Sequence, residues 1–130
     1  MQPLTASNKE IIPNFLLEYI KSNKSKDTNF IFRAHPNDKK SFKKAKKILL
    51  EYTKKRKISY DYAKNSVFDV FSEVTHCMTA FSSTSVEGYK FGLESAVFGK
   101  DAVKTLNYYI KNKKIKLLKK NKQSLAKWLN

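Results

Sequence analysis

Residues 75–99 read THCMTAFSSTSVEGYKFGLESAVFG: an apolar stretch, three consecutive hydroxyl residues, a short run closed by glycine, and a second apolar stretch. The pattern predicts a strand from Thr75 to Ala80 and a helix opened by Ser82, Ser83 and Thr84 that ends near Gly92. Glu87 stands three residues after Thr84, at capping-box spacing. Glu94 to Phe98 predicts the next strand, stopped by Gly99. A strand, a helix and a strand joined this closely form a βαβ unit. Its strands run parallel, because the helix carries the chain back to the end of the sheet where the first strand began.

The same alternation continues outward in both directions. Toward the amino terminus, Asn29 to Arg33 (NFIFR) predicts a strand, and His35, Pro36 and Asn37 form a turn. A helix follows from about Asp38 to Lys55, with Phe42, Ala45, Ile48, Leu49 and Tyr52 at helical spacing and lysines on the opposite face. Ile58 to Asp61 predicts another strand. Ser66, with Asp69 three residues on, marks a short helix carrying Val67, Val70, Phe71 and Val74. A first helix over about Asn8 to Lys21 presents Phe15, Leu16, Tyr19 and Ile20, with Pro13 near its first turn. Beyond Gly99, Asp101 can cap a helix with Val103, Leu106 and Ile110, then Lys114 to Leu118 predicts a last strand and Gln123 to Leu129 a last helix. Five strands and six helices in alternation predict one Rossmann-like α/β domain over residues 1–130, with a mostly parallel sheet of about five strands and helices on both faces.

Composition agrees with a folded chain and narrows its setting. The 130 residues are 41% apolar with only three glycines and three prolines, which excludes disordered and collagen-like classes. The single cysteine, Cys77, has no intramolecular disulfide partner and no CxxC neighbour, as expected in a reducing compartment, the cytoplasm by default. No run approaches the length of a membrane span, and the start MQPLTASNKEIIPN lacks the basic and apolar regions of a signal peptide. The net charge of +16 comes almost wholly from lysine, which composition bias alone can produce. Its placement says more: residues 39–57 hold ten Lys or Arg and one Glu, residues 111–122 hold seven Lys and no acid, and residues 66–103 are mildly acidic.

In a parallel α/β sheet, ligands bind outside the carboxyl ends of the strands. Two loops follow such ends directly, and both are chemically distinctive. In FSSTSVEGYKFG (residues 81–92), Ser82, Ser83 and Thr84 stand at a strand-to-helix junction, where backbone N–H groups and the helix dipole favour an anion such as phosphate. Glu87, one turn on, is spaced to accept from a ribose hydroxyl. The same residue types also make an ordinary Ser/Thr cap with Glu at its third helical position, and spacing alone leaves both readings open. In FRAHPND (residues 32–38), Pro36 fixes the turn behind His35 and so aims an imidazole at the crevice. There it could bind phosphate or act as general acid toward a leaving phosphate oxygen; a loop histidine bonded locally is the alternative. Arg33, Lys39 and Lys40 are near enough in sequence to join it. His76 reads as a satisfied, partly buried strand histidine and Cys77 as core. His35, His76 and Cys77 lack metal-ligand spacing, so no metal or other cofactor is expected. Neither a Walker A sequence nor a GxGxxG fingerprint is present.

RAHP (residues 33–36) followed about 45 residues later by FSSTSVEGYKFG resembles the carboxyl-terminal half of bacterial GT-B-type glycosyltransferases over roughly residues 28–110. It looks most like the capsule and lipooligosaccharide sialyltransferases and polysialyltransferases, with related motifs in CDP-glycerol and Kdo transferases. The resemblance implies a CMP-sugar or related CDP donor. His35 would contact and protonate the donor phosphate, Ser82, Ser83 and Thr84 would hold it, and Glu87 would stand near the ribose. It further implies a glycan acceptor bound by a separate amino-terminal half that this sequence lacks. MQPLTAS would then be the loop after a missing strand, in a truncated or split product. The setting would be cytoplasmic. Apart from the resemblance, the lysines of the 39–57 helix could hold the protein near an anionic surface, either the inner face of the membrane or acidic polysaccharide. The alternative from composition is a small basic protein that binds nucleic acid or another anionic surface. Scarce arginine, basic blocks without interleaved aromatics and the lack of any nucleic-acid-binding signature weigh against nucleic acid.

Overall fold

A computed structural model describes residues 12–22, 25, 27–35, 39–52, 58–80 and 82–130. The expected start of the first helix at Asn8, the MQPLTAS segment, the turn residues Pro36 and Asn37, Asp38, residues 53–55 and Phe81 lie outside them. The chain divides into two compact units, one over Lys64–Lys119 and the other over residues 12–63 with Lys120–Asn130.

In the second of these units, α1 (Asn14–Lys21) begins directly after Pro13, whose carbonyl accepts from Leu16 and Leu17 N–H. It buries the expected stripe of Phe15, Leu16, Tyr19 and Ile20. The chain then makes β1 (Phe30–Arg33), α2 (Lys39–Tyr52) and β2 (Ile58–Asp61). The two strands pair in parallel from Phe30 opposite Ile58 to Arg33 opposite Asp61. α2 is fixed to them by Phe42, which stacks on Phe32 with ring centroids 5.5 Å apart and meets Tyr60 and Tyr62 edge-on. Such aromatic pairs add about 0.5–1.5 kcal/mol each beyond the area they bury. α1 packs on α2 and on α7 (Lys122–Leu129). The cap of α7 is Asn121, whose side chain accepts from Ser124 N–H at 2.8 Å.

The other unit contains α3 (Val67–Phe71), β3 (His76–Thr79), α4 (Thr84–Phe91), β4 (Glu94–Val97), α5 (Ala102–Thr105), α6 (Asn107–Lys111) and β5 (Lys116–Leu117). Its strands form one parallel sheet in the order β3-β4-β5. Ser66 caps α3 by accepting from Phe68 N–H. β4 is central, and Ser95, Ala96, Val97 and the following Phe98 are all buried, as for a parallel strand covered on both faces. α4 lies against β3 and β4, and Gly88 lets it approach closely: a Cβ there would stand 3.0 Å from Ser95 Oγ and 3.1 Å from Cys77 Cβ. Gly92 ends α4 in the left-handed region, φ +105°. Val86 and Tyr89 of α4 join Ala102, Leu106, Tyr109 and Ile110 in a cluster with Val97 and Ile115, so both crossover segments bury side chains together.

The chain is thus α/β with parallel strands, as the alternation implies. Two features differ from expectation. The five strands form separate sheets of two and three rather than one sheet of five, because periodicity marks where a strand lies but carries no information about its neighbours. The helix expected after Asp101 is two short helices, broken where Leu106 leaves helical dihedrals (φ −119°, ψ 22°) while its side chain stays buried in the cluster. Asp101 precedes the first of them but makes no side-chain capping bond. Among the described residues no helix is long and apolar enough to cross a membrane.

Candidate functional site

The hydroxyl-rich turn follows the carboxyl end of β3. Buried Thr79, the last residue of that strand, anchors it: Thr79 Oγ1 accepts from Ser82 N–H at 3.1 Å. Ser82 then organises the entry to α4. Its Oγ accepts from Thr84 N–H at 3.2 Å and donates to Thr84 Oγ1 at 3.1 Å, while its carbonyl accepts from both the N–H and the Oγ of buried Ser85. The Ser83 carbonyl accepts from Val86 and Glu87 N–H. The turn is therefore preformed by its own side chains, which lowers the entropy lost when a ligand binds.

This geometry differs from the predicted cap. Thr84 is the first residue of α4 rather than its cap, and the capping position falls to Ser83, whose exposed side chain makes no capping bond. Glu87 is half-buried in the first turn, and Thr84 N–H is held by Ser82 and not by that carboxylate. Ser82, Ser83, Thr84 and Glu87 are thus brought together at one helix end, with the Ser83 hydroxyl turned outward. An anion placed at this helix end would meet this hydroxyl and the positive end of the α4 dipole, worth about 0.3–1 kcal/mol to a negative charge at an exposed site.

His35 belongs to the other unit. It is half-buried and comes two residues after the end of β1, following buried Ala34, whose N–H donates to Asp61 O at 2.8 Å. The carboxyl ends of β1 and β2 therefore lie side by side. Arg33 pairs there with Asp61, Nη1 to Oδ2 at 2.5 Å, and Asp61 Oδ1 also accepts from Ala63 N–H, holding Ala63 at φ +59°. Arg33 is accordingly committed to a carboxylate in its own sheet. Lys39 and Lys40 are exposed on the first turn of α2.

The other reactive side chains have local roles. Thr75 Oγ1 and His76 Nδ1 lie 2.7 Å apart. Burial pushes the Cys77 thiol pKa up, the opposite of what a nucleophile needs, and Sγ faces the Thr84 carbonyl at 4.0 Å. Among the described residues no three His, Cys, Asp or Glu side chains are grouped so as to hold a metal ion. An open hollow on α7, lined by Gln123, Ala126, Lys127 and Asn130, contains none of the expected site residues.

Thr79 and Asp61 organise the two strand ends, and sequence reasoning assigned neither of them a role. Their signals were faint: a hydroxyl residue within the expected strand Thr75 to Ala80, and an aspartate at the end of the expected strand Ile58 to Asp61. Comparison with family models, with curated proteins and with solved structures finds no match to the chain.

Proposed function

We propose that the chain is the donor-nucleotide-binding half of a glycosyltransferase for bacterial surface polysaccharide or lipooligosaccharide, taking a CMP-sugar or related CDP donor. The observation that carries this reading is the preformed turn of Ser82, Ser83 and Thr84 between a parallel strand and the start of an eight-residue helix. In this role the Ser83 hydroxyl and the α4 dipole receive the donor phosphate, and Glu87 accepts from a ribose hydroxyl. His35, at the carboxyl end of β1, is the candidate general acid for a leaving phosphate oxygen. In this reading the acceptor site and the carboxylate base lie on a second Rossmann-like domain. The reading places the protein in the cytoplasm, where nucleotide-activated sugars are made.

Thermal unfolding with CMP, CDP, UDP or no additive tests the proposal. A ligand that binds only the native state stabilises it by about 2.7 kcal/mol at roughly a hundredfold excess over Kd, which moves the midpoint by several degrees. The expected result is a cytidine-selective shift that Ser83→Ala and His35→Ala each reduce. A cooperatively unfolding sample that no nucleotide shifts would overturn the reading.

A further inference from the structure

Helix α2 carries a lysine surface that the contacts proposed for the donor, at His35, Ser83, Glu87 and the α4 dipole, do not call on. Lys39, Lys40, Lys43, Lys44 and Lys47 are all exposed, and at 100° per residue they cover an arc of about 140°. None makes an ion pair with a described residue. Three of the spacings, 39 to 43, 40 to 44 and 43 to 47, set like charges one turn apart, an arrangement that weakens a helix unless anions lie against it. Leu50 falls within the same arc and is 52% exposed, an apolar side chain set among cations, and exposed Glu51 is the one acid of the arc. At the edge of the arc, Tyr62 is 47% exposed. Its hydroxyl accepts from Lys46 Nζ and its ring meets Phe42, so the ring is held in place.

We propose that this face of α2 docks on an anionic lipid bilayer. The lysines meet the headgroups, Leu50 enters the headgroup–acyl boundary, and Tyr62 sits at the interface. Charge complementarity selects an anionic partner. An exposed leucine inside the cationic arc and a braced tyrosine beside it favour a bilayer over a nucleic acid, because a duplex backbone offers an aliphatic side chain no apolar layer to enter. Arginine, the residue suited to paired phosphate contacts, is absent from α2.

Co-sedimentation of the full chain with phosphatidylcholine vesicles, with and without phosphatidylserine, tests this, with duplex DNA as a parallel ligand. The expected result is binding that depends on phosphatidylserine and falls about fivefold for each α2 lysine removed, hence about a hundredfold in Lys40→Gln/Lys44→Gln/Lys47→Gln. Leu50→Ser should weaken vesicle binding and leave any DNA binding unchanged. The control variant Lys111→Gln/Lys113→Gln/Lys119→Gln removes the same charge from the other basic block. Equal loss in the control would mean generic attraction to a basic protein and would overturn the assignment to α2. No dependence on phosphatidylserine, or DNA binding tighter than vesicle binding, would overturn the proposal itself. Unfolding midpoints of each variant confirm that the exposed substitutions leave the fold intact.

Discussion

Arg33 and Asp61 occupy opposite positions in the β1–β2 ladder, 28 residues apart in sequence, and their side chains join in an ion pair at the carboxyl ends of both strands. The pair closes the ladder beside His35 and is mostly shielded from water, with side-chain exposures of 13% and 20%. Asp61→Asn leaves the Arg33 guanidinium without its countercharge and should lower stability by about 1–3 kcal/mol. Urea unfolding of this variant, with Arg33→Gln and the double variant, gives the coupling directly. A coupling near zero would show the pair to be no stronger than an exposed surface contact.

Thr79 is the buried post on which the Ser82–Thr84 turn hangs. Thr79→Val keeps the shape and β-branching but leaves Ser82 N–H without its acceptor, at a cost of about 1–2 kcal/mol. If the turn receives a donor phosphate, the same variant should also lose the nucleotide-induced shift in melting midpoint, although Thr79 itself meets no ligand. A shift of wild-type size in a destabilised Thr79→Val protein would argue that the turn does not form the site.

Ser95 Oγ is buried and unpaired in the narrow space between β4 and Gly88 of α4. Ser95→Ala removes an unsatisfied polar atom. Stability should therefore rise, by about 1 kcal/mol. A drop in the denaturation midpoint would mean that the hydroxyl has a partner after all.

The Cys77 thiol is held protonated by burial, with its folded pKa raised above the unfolded value. A raised pKa means that the folded state binds this proton more tightly, so the contribution is fully present at neutral pH. It is lost as pH climbs from the ordinary thiol range through the raised folded value. Melting midpoints across an alkaline series should fall less steeply for Cys77→Ala than for the parent chain. Native-state labelling by a thiol reagent should be slow at neutral pH, and fast labelling would contradict the burial argument.

The placement of most helices and strands was legible because the signals are local. Alternation marked β2 at Ile58–Asp61 with no change of bounds, Ser66 marked the start of α3, and Gly92 closed α4 with the positive φ that glycine adopts readily. Spacing was less informative at the candidate site. Thr84 and Glu87 have the separation of a capping box, yet the turn is built on Ser82, because a buried threonine in the preceding strand captures the Ser82 N–H. The break at Leu106 was equally hidden: the apolar rhythm runs through it, and burial in the cluster with Val97 and Ile115 outweighs the continuation of the helix.

The sequence by itself determined that this chain is α/β, that its strands run parallel through short helical crossovers, and that its positive charge gathers in two blocks. These follow from periodicity, turn chemistry and composition, each readable within a few residues. Only the tertiary structure decided that the strands pair as two sheets, that Arg33 faces Asp61, and that α2 presents five exposed lysines, none in an ion pair with a described residue, around an exposed leucine. Those outcomes depend on contacts between residues far apart in the chain, whose energies are set by the packing of the folded state and are not written in any local pattern.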